Sequence, residues 1–374
     1  MTLNLNLERL RRDCIAAIPR RVPSVFAQTA EYCLEQECKV ISKLGKSEEF
    51  LAAVEIGRFA RREGIPCRLV GAGCSFIIAY LTGLSDVNPV SHELLFQRFR
   101  DFEGVAAPPF MFEIPKERCQ EVVYFANQHY GPETVKTSFS FLEMLDDVKI
   151  PYLVAQKVRE RAEPSFELGN IWRICSFHED RRVFPMLWEG MAEGVYWLEK
   201  PDVQDTLRRL EPQSVQGIAA LMAVQMISLD QPRILEEYLQ RAYEYGQPEN
   251  GLEMISECVS DTFGLIVYQE QIMRVMCWLG ETNLSEGYRF ALAAATRNSA
   301  EVTEYRNRFV TNAAEHIGED AATRLFNRMV EAGQYACCKS HYTAEAVTAY
   351  QALFLKHRYP DQFQQVLEEV RGKQ

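Results

Sequence analysis

The sequence predicts an α+β fold that is mostly helical. Apolar residues recur at helical spacing along most of its 374 residues, and the strand-like stretches are few, short and bounded by glycine or proline. Hydrophobic residues make up 47% and charged residues 25%, which suits a globular chain and argues against the disordered and membrane classes. A chain of this length is expected to divide into more than one structural unit. No apolar run approaches bilayer-spanning length and the N-terminus lacks a leader pattern, so a cytoplasmic protein without membrane contact is expected.

Taken in order, 47-SEEFLAAVEIGRFARREG-64 reads as a helix that Ser47 can cap and Gly64 can end. A short β-like segment, Cys67-Arg68-Leu69-Val70, runs into the glycine turn Gly71-Ala72-Gly73-Cys74-Ser75 and then the apolar helix Phe76–Tyr80. Strand, glycine turn and helix start together can face backbone amides toward a phosphate, although a tight packing turn has the same pattern. The stretch Phe110-Met111-Phe112-Glu113-Ile114 reads as a second strand in which one carboxylate interrupts an apolar run, and 120–131 returns to helix. The segment 140–162 suggests two short helices joined near Pro151, and Gly194–Leu198 is a late strand candidate. Helices fill the remainder; in 268–279, Ile272, Val275, Met276 and Leu279 fall on one face, the spacing of a core stripe.

Eleven cysteines at irregular spacing, with no C-x-x-C pair, predict reduced thiols, and the scattered histidines predict no zinc site. The net charge of -11 is uneven: residues 1–135 carry 16 basic and 17 acidic groups, leaving 25 against 35 for the rest. That acidic remainder argues against tight DNA binding, which needs clustered cations to displace phosphate counterions.

Two C-terminal segments carry more than periodicity. GLIVYQEQIMRVM at 264–276 and CKSHYTAEAVTAYQALFLKHRYPDQF at 338–363 resemble the fingers domain of the bacterial replicative DNA polymerase III alpha family, where a Tyr-Gln-Glu-Gln helix is followed by Asn-Lys-Ser-His, a Tyr-Gln helix and Tyr-Pro. GIPCRLVGAGCSFIIAYLTGLSDVNPVSHELLFQRF at 64–99 resembles the palm of the same family. The resemblance implies a nucleotidyltransferase-like palm with a small mixed sheet over 1–135, a short thumb over 136–165, a reduced palm return over 166–199 and an all-helical fingers domain over 200–374. The family's leading phosphoesterase-like domain and its trailing DNA-binding and clamp-binding modules are not expected in a chain of this length.

The resemblance also implies losses. The family's palm carries Pro-Asp-Phe-Asp-x-Asp-Phe where this chain reads Pro108-Pro109-Phe110-Met111-Phe112-Glu113-Ile114, so the two metal-binding aspartates fall on Met111 and Glu113. Two-metal nucleotidyl transfer needs carboxylates that hold both ions about 3.5–4 Å apart, and a thioether cannot replace a hard oxygen ligand for magnesium. The third aspartate of the family lies in an Asp-Phe-Leu-Gly strand that has no counterpart between 165 and 200. At the glycine turn Gly71 and Gly73 match, but an arginine position holds Val70 and two serine positions hold Ala72 and Phe76, with Ser75 recovered only by a one-residue slide. In the fingers, the phosphate-facing cations align with Ala291, Leu292, Thr296, Arg297 and Asn298, and an Arg-Pro-Gly-Pro turn reads Met226-Ile227-Ser228-Leu229, whereas Lys339, Ser340, His341, Tyr350 and Gln351 are kept.

Apolar and helix-packing positions therefore survive while metal ligands and phosphate-facing cations are replaced. The expectation is a pseudo-polymerase: a scaffold with Glu113 as catalytic remnant, no resident metal or cofactor, a protein partner and at most weak binding of DNA or nucleotide. Remnant binding residues would be Gly71, Gly73, Ser75, Tyr268, Gln269, Arg297, Lys339, Ser340 and His341. One alternative is a minimal active polymerase in which Glu113 and Asp86 or Glu117 hold magnesium. Another is a nucleotide or DNA-end binding module using Lys339, His341 and Arg297 on one face. Competing with both, Lys339–His341 reads as a helix-entry turn kept for packing, and Tyr268–Gln271 as polar groups that satisfy buried backbone.

Overall fold

The computed structural model describes residues 5–96, 110–161, 163–175, 179–244 and 255–372. Pro108 and Pro109, which precede the metal-strand position, and Gln97–Phe99 at the end of the palm-like run lie outside them. In chain order the elements are α1 (Leu5–Arg21), α2 (Ala27–Lys43), α3 (Ser47–Arg62), β1 (Arg68–Val70), α4 (Ile77–Leu81), β2 (Phe110–Ile114), α5 (Lys116–Tyr130), α6 (Pro132–Ser138), β3 (Phe139–Glu143), α7 (Asp146–Arg161), α8 (Ile171–Ile174), α9 (Pro185–Trp188), α10 (Pro201–Leu210) and α11 (Val215–Ser228). They continue with α12 (Arg233–Tyr243), α13 (Ser256–Val259), α14 (Gln269–Leu279), α15 (Leu284–Ala295), α16 (Ser299–Ile317), α17 (Glu319–Gly333), α18 (Lys339–Arg358) and α19 (Pro360–Arg371). The fold is thus α+β and mostly helical, with one small mixed sheet. No helix among the described residues is long and apolar enough to cross a membrane.

Three local expectations are corrected. Segment 140–162 is not a helix pair: Phe139–Glu143 pairs with β2 as a strand, and α7 continues through Pro151 as one helix. Gly194–Leu198 is a run of turns rather than a strand, with Gly194 and Trp197 at positive φ and i to i+3 bonds closing Ala192–Val195 and Val195–Leu198. Ser47 is the first residue of α3, buried, and Lys46 precedes the helix without a side-chain cap.

Two compact units result, the first comprising the described residues of 1–94, 106–215 and 343–374, and the second those of 95–105 and 216–342. The expected division at 199/200 falls inside the first unit, which also takes the last 32 residues of the expected fingers segment. In the first unit the sheet order is β1-β2-β3, with β1 antiparallel and β2 parallel to their neighbours β2 and β3. The parallel pair needs a crossover, which α5 and α6 supply. Alternation along β2 sends Phe110 and Phe112 to one face, where Phe112 stacks on Phe141 with ring centroids 5.8 Å apart and Phe110 meets Phe50 edge-on at 5.0 Å. Met111 and Glu113 therefore point to the other face.

The second unit is all-helical over its described residues. The stripe read in 268–279 is buried as expected: Ile272, Val275, Met276 and Leu279 pack with Phe290, Phe309, Phe326 and Met329 in one core.

Candidate functional site

Antiparallel register places Arg68 directly opposite Glu113, an opposite-charge cross-strand pair. Arg68 Nε donates to Glu113 Oε2 at 2.8 Å, and Nη2 lies 2.7 Å from the same oxygen. Its Nη2 also donates to both oxygens of Glu345, at 3.0 and 2.8 Å, and its Nη1 to Thr348 Oγ1 at 2.6 Å. Glu345 and Thr348 sit one turn apart on α18, so that helix presents both acceptors to the sheet. Arg68 and Glu345 are buried, and the Glu113 side chain keeps 17% of its exposure.

One guanidinium therefore serves two carboxylates in a nearly dry site. Burial alone would pull the Arg68 pKa down, but the two carboxylates outweigh it and hold the guanidinium charged. For Glu113 burial is the largest influence and raises the carboxyl above its usual 4.5; Arg68 opposes this and Glu345 adds to it. A metal ion approaching Glu113 meets a carboxylate already bonded to a tethered cation. Asp86 accepts instead from Gln351 Nε2 at 2.9 Å, and exposed Glu117 lies 3.5 Å from Lys149 Nζ. Among the described residues no group of three or more His, Cys, Asp or Glu converges as metal ligands would.

Met111 takes up the space over the glycine turn. Gly71 has φ +71°, and a Cβ there would fall 2.1 Å from the Met111 methyl, so the side chain lies against bare backbone. The turn itself is a 3-10 segment, Gly71–Ser75, in which Ser75 Oγ donates inward to Ala72 O at 2.7 Å. The acceptor at the following helix start comes from the chain itself. Glu37 of α2 accepts from Ile77 N at 2.7 Å and Ile78 N at 3.1 Å, 1% exposed, and burial pushes its carboxyl up to about 8 against the pull of those amides.

In the second unit, Gln271 Oε1 accepts from Val267 N and Tyr268 N at 2.7 and 2.8 Å, while Gln271 Nε2 donates to Thr262. Gln269 donates through N to Cys337 O and through Nε2 to Ala336 O, and Glu270 accepts from Lys339 N. Tyr268–Gln271 thus ties its own strand-like entry to the segment leading into α18. Lys339 Nζ is 2.7 Å from Asp261, and Ser340 is fully buried. Arg297 is exposed at φ +55° on the turn after α15. Ala291, at a position where the family has a cation, is 1% exposed inside the apolar core.

Arg68, Glu345 and Glu37 were missed in reading the sequence. A signal existed for Glu37, which occupies the same helical stripe as buried Ala30, Leu34, Cys38 and Ile41.

Comparison with known proteins bears on the fold that carries these residues. Residues 8–148 match the model of the bacterial DNA polymerase III alpha NTPase domain, and residues 154–317 match the finger domain of the same subunit. This is a DNA polymerase III alpha-like chain. DNA polymerase III subunit alpha of Halalkalibacterium halodurans is 23% identical over 95% of this chain and 42% of its own length. That of Thermus aquaticus is 22% identical over 97% and 40%, and that of Aquifex aeolicus 20% identical over 95% and 43%. The chain spans about two fifths of the length of these relatives. The Halalkalibacterium alignment runs over 482 positions, more than the 374 residues available, so the matched region of that relative contains segments this alpha-like chain lacks.

Proposed function

We propose that this polymerase III alpha-like chain is a pseudo-polymerase, a palm and fingers scaffold without nucleotidyl-transfer chemistry that works by binding in DNA replication or repair. One observation carries the reading: Glu113, the carboxylate remaining at the metal-strand position, is bonded to Arg68, which also binds Glu345. The guanidinium supplies internally the positive charge that a metal ion would bring. Met111 against Gly71 and Glu37 on the Ile77 and Ile78 amides support the same conclusion, because an apolar group and an internal carboxyl lie where a triphosphate would need metal and backbone donors. No strand follows Glu143 among the described residues, which fits the missing third-aspartate strand.

On this reading the chain needs no resident metal or cofactor, its working contact is a protein partner in the cytoplasm, and DNA or nucleotide is held weakly if at all. Palm and fingers remain as shape rather than as an active site. Manganese titration by calorimetry tests it. The expected result is no stoichiometric binding at micromolar concentrations; tight binding lost on Glu113→Gln would sink the proposal. DNA binding followed by anisotropy should be poor at physiological salt with a shallow salt slope, whereas a steep slope would reveal a basic groove.

A further inference from the structure

We propose that a cavity beside the sheet of the first unit binds a small phosphate ester, with Arg21 and Arg61 holding the phosphate and Asp86 accepting from a hydroxyl or amine of the ligand. The proposal stands independently of the lost polymerase chemistry, since neither Met111 nor Glu113 lines the cavity. The volume is about 790 Å³, and Leu69, Leu84 and Val347 give it apolar walls. That combination of size, apolar lining and a few convergent polar groups is the usual anatomy of a small-molecule site.

The arginine pair gives the site its chemistry. Gly83 has φ +73°, and a Cβ on it would sit 2.6 Å from Arg61 Nη1 and 3.5 Å from Arg21 Nη1, so both guanidinium tips reach the same point over bare backbone. Their hydrogen-bonding capacity is poorly met by the protein. Arg21 Nε and Nη2 are buried with no partner, and Asp86 Oδ1 stands 3.8 Å from Nη2, beyond hydrogen-bond reach. Arg61 Nη2 has one long contact, 3.5 Å to Thr82 O. Asp86 and Glu167, which line the same cavity, offset part of this paired charge, but hydrogen-bond donors remain in excess of acceptors, and a phosphate monoester offers three terminal oxygens to two planar forks. Arg21 is already oriented, lying over the Tyr80 ring at 4.8 Å. Asp86 keeps one oxygen for a ligand because Gln351 bonds the other.

The test titrates the full chain by calorimetry with inorganic phosphate, ribose 5-phosphate and adenosine monophosphate at constant ionic strength, with chloride as the control anion. Saturable binding of the phosphate compounds is expected, weakened about tenfold or more by Arg61→Gln, the loss expected for removing one charge-assisted hydrogen bond. Arg21→Gln should do the same, and because Arg61 stands at the rim its variant keeps the test valid if Arg21→Gln misfolds. Asp86→Asn should weaken the two esters relative to inorganic phosphate, whose own binding holds or tightens because a carboxylate 3.8 Å from Arg21 loses its charge. Tighter binding of the nucleotide than of the sugar phosphate identifies a nucleotide as the natural class; equal binding identifies a sugar phosphate. The proposal is overturned if no phosphate compound saturates at millimolar concentration, or if Arg61→Gln binds them as well as the parent.

Discussion

Replacing Arg68 with methionine should destabilise the chain severely at neutral pH, and the size of the loss follows from what the guanidinium holds. Arg68 is 6% exposed and donates to Glu113, to both oxygens of Glu345 and to Thr348. Its removal strands two carboxylates in a nearly dry site, and breaking a buried ion pair from one side costs about 3–5 kcal/mol, against at most about 1 kcal/mol for an exposed pair. The sign of the pH dependence is fixed by the same geometry. Without the cation, the folded-state pKa of Glu113, already raised by burial, rises further above the unfolded value, so the folded variant takes up a proton first. The deficit is therefore largest at pH 8 and shrinks as pH falls toward 5. Urea unfolding of parent, Arg68→Met and the triple variant Arg68→Met, Glu113→Met, Glu345→Met measures it, and the triple variant should regain most of the loss because apolar side chains leave no stranded charge. A deficit below about 1 kcal/mol at pH 8, or one that grows on acidification, would refute the buried cluster.

Other perturbations follow from the same contacts. Glu37, raised from 4.5 to about 8, lends stability that is fully present below pH 4.5 and is lost as pH rises through 8; Glu37→Gln should flatten that slope in denaturation curves taken at pH 6 and pH 9, and parallel curves would count against it. Gly71→Ala should cost about 1–2 kcal/mol from its positive φ and more from the Met111 methyl, with Met111→Ala restoring only the second part; full restoration would mean the backbone there is unstrained. Ala291→Arg, which returns a family cation, should lower stability by about 3 kcal/mol or more because it drives a guanidinium into the core of the second unit, and a melting temperature equal to the parent's would contradict that burial.

Reading the sequence succeeded where the signal was local. The apolar run Phe110–Ile114 was read as a strand and forms β2, and helical spacing placed Ile272, Val275, Met276 and Leu279 in a core. The failures have physical causes. Phe139–Glu143 becomes a strand only because β2 is available to pair with it in parallel, and its apolar residues run straight into the periodic pattern of α7. Gly194–Leu198 has strand-forming side chains, but positive φ at Gly194 and Trp197 folds it into turns. Arg68 and Glu345 lie 277 positions apart, so no spacing rule joins them. For Glu37 the available hint was its place on the buried helical stripe of α2, and for Glu345 a charge among the apolar residues of α18; both turn out to have buried partners.

The measurement that bears most directly on the central claim is primer extension by the purified chain on a primed template with all four deoxynucleotides and magnesium or manganese. The parent, Glu113→Ala, and the double variant Met111→Asp with Glu113→Asp should all fail to incorporate a nucleotide. In the double variant Arg68 still neutralises the restored carboxylate, and Ala291 still denies the triphosphate a cation. Template-dependent extension by the parent that disappears in Glu113→Ala would contradict the account, because Glu113 would then hold a metal ion despite its bond to Arg68.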